Sequence, residues 1–234
     1  MRAEFLSHVG AVRENNEDAI YCDVKSGVFV VADGIGGKEA GEIASATAVR
    51  VVAEKSWEDP DAEPAVMLRE AFYEANNFIY NRGKEPGMAG MGTTMTAAVI
   101  RGNKITIVHV GDSRAYLFTA EGVQLLTTDH SIVEFMVQRG ELTQEQAKNH
   151  PGKNVITRAV GTEPSVEGDI YLQKLHRDDC LLLCSDGLSN VMADQEMLFE
   201  VAHGVRKSDC CQRLLRIAKN RGAPDNVTVA MALV

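Results

Sequence analysis

An α+β fold of layered antiparallel sheets covered by helices is predicted by three features of the sequence. Strand-like runs come in blocks, helical periodicity fills the stretches between them, and polar or glycine-containing turns close the strand pairs. A chain of 234 residues can bury roughly 70% of its unfolded surface. No Pro/Ser-rich linker or solenoid-length repeat interrupts it, so one domain over residues 1–234 is expected.

The elements follow in order. Runs at 3–8, 19–24 and 27–31 predict a first antiparallel meander. Helices are predicted over 40–55 and 63–82, the second with Val66, Leu68, Phe72, Ala75 and Ile79 near a 3.6-residue period. Strands at 93–101, 104–110 and 114–119 form a second block, with Gly102-Asn103 and Gly111-Asp112 as hairpin signals. From 131 to 157 the character changes to short helical pieces, the second opened by Thr143-Gln144-Glu145-Gln146, and a polar stretch around His150. This segment is expected to be an inserted, mobile flap contributing to substrate choice. Strands near 166–175 and 179–184, helices near 194–203 and 208–221, and a strand from Val227 complete the chain.

Composition excludes several function classes. With 45% apolar and 24% charged residues the chain has a globular balance, and a net charge of -9 disfavours nucleic acid and anionic membranes as partners. Apolar runs such as 28–32 fall far short of the roughly 20 residues of a membrane span. Glu4 stands where a secretion signal needs apolar residues, so a cytoplasmic, monomeric protein is expected. Five cysteines without a CxxC pair argue against a zinc knuckle and a disulfide framework and predict core thiols.

The chemistry is written in a repeated pattern. Val28-Phe29-Val30-Val31-Ala32-Asp33-Gly34 and Cys180-Leu181-Leu182-Leu183-Cys184-Ser185-Asp186-Gly187 each deliver a carboxylate at the end of an apolar strand, followed by glycine. The strand makes the position rigid, and the glycine lets backbone oxygen approach what the carboxylate binds. A single Asp-Gly is usually a plain turn. Here Glu17-Asp18, Asp33-Gly34, Gly111-Asp112, Asp186-Gly187 and Asp225-Asn226 all adjoin strand-like runs. Converging acids repel one another unless a cation compensates, and all-oxygen ligands favour magnesium or manganese over zinc.

These motifs, with Val12-Arg13, Asn16-Glu17-Asp18, Ile35-Gly36-Gly37, Gly92-Thr93-Thr94, Val110-Gly111-Asp112-Ser113-Arg114 and Asp225-Asn226-Val227-Thr228, resemble in order the metal-dependent protein phosphatases of type 2C in their compact bacterial form. The resemblance spans nearly the whole chain. It implies a four-layer sandwich, two antiparallel β-sheets packed face to face and flanked by α-helices, with a two-metal centre at one end. It also implies hydrolysis of phosphoserine and phosphothreonine in proteins, substrates of a serine/threonine kinase, by a water bridging two Mn2+ or Mg2+ ions, with no covalent phosphoenzyme.

By motif position, Asp33 would bridge both ions, the Gly34 carbonyl would bind one, and Asp186 and Asp225 would hold the other. Glu17 and Asp18 would order water at the ions, and Arg13 would clamp phosphate. Asp112 with Asp186, and the backbone carbonyl of Asn154, would hold a weaker third ion whose acidified water protonates the leaving alkoxide. Ile35 occupies a place where some relatives carry a histidine acid, and it has no proton to give. His130 and His150, flanking the flap, are the nearest substitutes. Two rival readings are weaker. A phosphatase-fold regulatory module that binds a phosphoprotein or a partner without turnover would have lost the acids that are present here. A nucleotide loop at 34–37 lacks the ending of a P-loop.

Overall fold

The computed structural model describes residues 1–36, 40–59, 61–203 and 209–234. Gly37 of the glycine run and Ser208, the expected first residue of the last helix, lie outside the described residues. The chain opens with β1 (Arg2–His8), β2 (Asp18–Asp23), β3 (Val28–Ile35), α1 (Ala40–Ala53) and α2 (Pro64–Arg82). It continues through β4 (Gly92–Thr93), β5 (Met95–Arg101), β6 (Lys104–Val110), β7 (Arg114–Thr119), β8 (Gly122–Leu125), α3 (Ile132–Gln138) and α4 (Gln144–Lys148). Last come β9 (Asp169–Lys174), β10 (Cys180–Cys184), α5 (Asp186–Ser189), α6 (Asp194–His203), α7 (Cys210–Asn220) and β11 (Val227–Leu233).

The strands form two antiparallel sheets. One has the order β1-β11-β10-β7-β8, the other β2-β3-β5-β6-β9 with β4 paired to β3. The period of two along each strand explains the layering. On β3, Val28, Val30 and Ala32 face a cluster with Ala44, Ala48, Leu68 and Phe72 of the two long helices, while Phe29 and Val31 face the other sheet. On β10, Leu181 and Leu183 point between the sheets, and Cys180, Leu182 and Cys184 point outward to Met197, Cys211 and Leu214. Both faces of both strands are thus buried, which is why each reads as a continuous apolar run. Each fully buried Leu, Val or Phe contributes roughly 1.5–3 kcal/mol. The result is the expected sandwich of helices, sheet, sheet and helices. Among the described residues no helix is long and apolar enough to cross a membrane.

Three local expectations change. The first three strands are not one meander, because β1 pairs with β11 over its whole length and only β2 and β3 pair together. Nor is Gly111-Asp112 a hairpin: β6 lies in one sheet and β7 in the other, so this loop crosses between them. Gly111 has φ +106, and a Cβ there would stand 2.5 Å from Thr94 Cγ2, so the crossing needs glycine. The strand expected from 166 begins only at Asp169. Before it, the buried Asn76 of α2 accepts from the Gly161 N–H and donates to the Glu163 carbonyl, tying the segment to a helix instead of a sheet.

Residues 131–157 carry α3 and α4, and their ends are joined. The Ile132 N–H donates to the Val155 carbonyl, and the Thr157 N–H to the His130 carbonyl. Ser131 caps α3, and Thr143 with Gln146 makes the expected capping box on α4.

Candidate metal centre

The centre is built where β2, β3, β10 and β11 present their ends. Register places Asp18 directly opposite Asp33, so two carboxylates of one sheet are neighbours by pairing alone. The backbone of Asp33 is clamped from β4 and the residue after it. Thr94 donates its N–H to the Asp33 carbonyl and accepts the Asp33 N–H on its hydroxyl, and the Thr93 hydroxyl also donates to that carbonyl. The Thr94 hydroxyl is in turn 2.8 Å from that of Ser113, beside Asp112. A Cβ on Gly34 would overlap the Gly41 and Glu17 carbonyls, and one on Gly187 would overlap the Asn226 carbonyl. Each glycine after an aspartate is therefore required by close backbone approach.

The other sheet supplies Asp186 and Asp225. The Ser185 hydroxyl donates to Asp18 Oδ2 at 2.7 Å and accepts from the Thr228 N–H, linking the sheets through one buried serine. Asn226 accepts from the Glu17 N–H and donates to the carbonyls of Val9 and Asn15, pinning the loop that carries Arg13 and Glu17. Arg13 Nη2 donates to Asp225 Oδ2 at 2.8 Å, with half of the arginine side chain exposed.

Electrostatics shows the carboxylates acting on one another. Burial, then the charges of Asp18, Asp186, Asp112 and Asp225, holds Asp33 well above the usual carboxylate range. Burial pushes Asp18 up to about 7, with Asp186 and Asp225 adding to it. Asp112 is raised to about 8 by burial and then by Asp186 and Asp129, and Asp186 to about 6 by burial and then by Asp225. Glu17 is also raised by burial, an effect opposed by Arg13.

Asp18 Oδ1 and Asp186 Oδ1 are buried and have no hydrogen-bond partner in the protein. A buried carboxylate oxygen without a donor is costly, and a cation removes that cost. Among the described residues no three acidic, imidazole or thiol groups already stand in a closed ion cage. What the structure offers is an open, all-oxygen cluster with orphaned acceptors, which fits hard divalent cations.

The remaining residues join at the edges. Asp112 follows the Gly111 crossing, where the Gly111 N–H donates to His130 Nδ1 and the His130 N–H donates to the Gly111 carbonyl. His130 Nε2 therefore carries the proton and donates to Asp169 Oδ2, so both ring nitrogens are committed. His150 Nδ1 accepts from the Gly152 N–H. Of the two histidines, only His130 has both ring nitrogens taken up by other residues. Asn154 reaches the centre through Asn190, whose Nδ2 donates to Asp186 Oδ2 at 2.9 Å and lies 3.4 Å from Asn154 Oδ1. Sequence reading missed Asn190, which is four residues after Asp186 and carries no motif of its own. It also missed the linking role of Ser185, although Ser185 precedes Asp186 directly.

Comparison with known proteins gives matches over nearly the whole chain. A family profile described as protein phosphatase 2C matches residues 7–223. The serine/threonine phosphatase stp of Listeria innocua is 36% identical over 240 residues, covering 99% of this chain and 95% of that protein. The crystal structure of the Mycobacterium tuberculosis serine/threonine phosphatase PstP/Ppp superposes with a TM-score of 0.94 at 35% identity, covering 100% of this chain and 98% of that one. A PstP catalytic domain solved in complex with two manganese ions gives a TM-score of 0.91 at 34% identity, covering 100% and 98%.

Proposed function

The chain belongs to the protein phosphatase 2C family, and from that premise we propose that it hydrolyses phosphoserine and phosphothreonine in proteins phosphorylated by a serine/threonine kinase, using two Mn2+ or Mg2+ ions at the carboxylate cluster. The observation that carries the reading is the convergence of Asp33, Asp18 and Asp186, whose Asp18 and Asp186 oxygens are left without donors. Asp33, the Gly34 carbonyl, Asp186 and Asp225 would hold the two ions, with Glu17 and Asp18 beside them. When bound, the ions supply Lewis acidity that lowers the pKa of water and offsets phosphoryl charge.

The chain's own residues do the rest. The clamp of Thr93 and Thr94 on the Asp33 backbone, and the Ser185 bridge, fix the ligands before substrate arrives. Burial pushes the Cys22 and Cys184 thiols up to about 12, which leaves them poor nucleophiles and suits direct attack by water. The purified protein is expected to hydrolyse a phosphothreonine peptide with Mn2+ and to stop on chelation. Inactivity with every divalent ion would favour a phosphoprotein-binding module.

Arg13 is suited to clamp two phosphate oxygens, because its fork is exposed and its present partner is a single oxygen of Asp225. Arg13→Ala is expected to raise KM about tenfold with a smaller change in kcat, roughly the loss of one charge-assisted hydrogen bond. Mn2+ affinity should move less than about threefold, since an exposed ion pair is worth little. Unchanged KM with lost Mn2+ binding would give Arg13 a different role.

Residues 131–157 are read as a flap that selects substrate and, through the Asn154 carbonyl together with Asp112, lines a weaker third cation site. Its polar surface and the adjacency of Asn154 to Asn190 support this. Replacing the segment by that of a relative is expected to change peptide preference by about tenfold in kcat/KM while an aryl phosphate is turned over at a similar rate. Unaltered preference would remove the assignment.

A further inference from the structure

Asn190 follows the single turn of α5 and makes two contacts with the residue that opens it. Its N–H donates to the Asp186 carbonyl at 2.7 Å, and its side-chain Nδ2 donates to Asp186 Oδ2 at 2.9 Å. The same Nδ2 lies 3.4 Å from Asn154 Oδ1. One amide nitrogen carries two hydrogens and can serve both acceptors. The other carboxylate oxygen of Asp186, Oδ1, is buried and has no partner in the protein. Asp186 is thus held by one oxygen and presents the other.

We propose that Asn190 is a positioning residue that holds Asp186 by Oδ2 so that Oδ1 faces the cations, and that it couples this orientation to the segment containing Asn154. The inference rests on the reading of Asp186 as a cation ligand. Closing the helix turn does not require the side chain, because the backbone N–H of Asn190 already does so. Packing does not require it either, since Asn190 is exposed. Without the amide, the carboxylate can turn about its last bond, and Oδ2 loses its donor. Groups that orient a metal ligand from behind are worth about 10- to 100-fold in affinity.

Metal-stripped wild type, Asn190→Ala and Asp186→Ala are compared by calorimetric titration with Mn2+, by thermal melting without metal, and by amide hydrogen exchange. Asn190→Ala is expected to bind Mn2+ about tenfold more weakly at one site, to melt within about 2 °C of wild type when metal-free, and to exchange faster at Val155. Unchanged Mn2+ affinity in Asn190→Ala, with binding lost in Asp186→Ala, would overturn the inference and leave the ligand reading standing. A metal-free melting point lowered by more than about 5 °C would reduce Asn190 to a structural cap. Unchanged exchange at Val155 would overturn the coupling to Asn154. Wild-type Mn2+ binding by Asp186→Ala would overturn the ligand reading itself.

Discussion

Asp33→Asn is expected to lose at least about 10³-fold in Mn2+-dependent turnover while the metal-free protein becomes more stable. The activity loss follows from removing the carboxylate that would touch both cations, whose stabilisation of transition-state charge is worth several kcal/mol, with each 1.4 kcal/mol a factor of about ten. The gain in stability has the opposite origin. Asp33 is buried among Asp18, Asp186, Asp112 and Asp225, all of which oppose its ionisation. Asparagine keeps the shape and leaves the backbone bonds to Thr93 and Thr94 in place, but removes a carboxyl whose ionisation burial and its neighbours oppose. A rise of a few degrees in the metal-free melting point is expected, since about 1 kcal/mol corresponds to roughly 2–4 °C at this size. Added Mn2+ should stabilise the wild type and not the variant. Retained turnover, or a metal-free protein less stable than wild type, would contradict this account.

The metal-free protein is expected to lose stability as pH rises from 6.5 to 8, and Mn2+ should abolish or reverse that slope. Asp18 and Asp112 are raised from an ordinary 3.8 to about 7 and about 8 by burial and by neighbouring carboxylates. In this window the folded protein retains protons that the unfolded chain has released, so folding is favoured at the low end and the advantage is lost as pH passes the folded values. Below about 6.5 the imidazole of His109 works the other way. Burial pushes it down to about 3, so the unfolded chain there binds a proton that the folded protein does not. Glu196, drawn down to about 2 by Arg221, loses its contribution only in much stronger acid. A cation at the cluster displaces the carboxyl protons, so Mn2+ should stabilise more at pH 8 than at pH 6.5. Urea unfolding at both pH values, with chelator and with Mn2+, measures this. Metal-free stability that rises toward pH 8 would show that the carboxylates are not mutually repulsive.

Much of the fold was legible because its signals are local. Both faces of β3 and β10 are covered, so these strands appear as unbroken apolar runs whatever their neighbours are. Helix α2 shows its buried stripe, and Thr143 with Gln146 announces the start of α4. Acids beside strand ends were likewise readable as an oxygen-rich cluster, since Asp33-Gly34, Gly111-Asp112 and Asp186-Gly187 each pair a strand end with a glycine that close approach requires. Strand allocation was not readable. A turn composition tells that a strand ends, but not which sheet receives the next one, and Gly111 looks the same in a hairpin and in a crossing.

The sequence by itself determined the types of the longer elements, the capping box of α4, the acid-glycine motifs and the all-oxygen character of the carboxylate cluster. Tertiary structure alone decided that β1 leaves β2 and β3 for the other sheet, and that Asp18 stands opposite Asp33. It also decided that Arg13 rests on Asp225, that both nitrogens of His130 are committed, and that Asn190 reaches both Asp186 and Asn154. The physical reason is range. Backbone preference and side-chain periodicity act within a few residues, whereas pairing register, hydrogen-bond partners and carboxylate repulsion depend on segments more than a hundred residues apart meeting in space, as Asp18 meets Ser185.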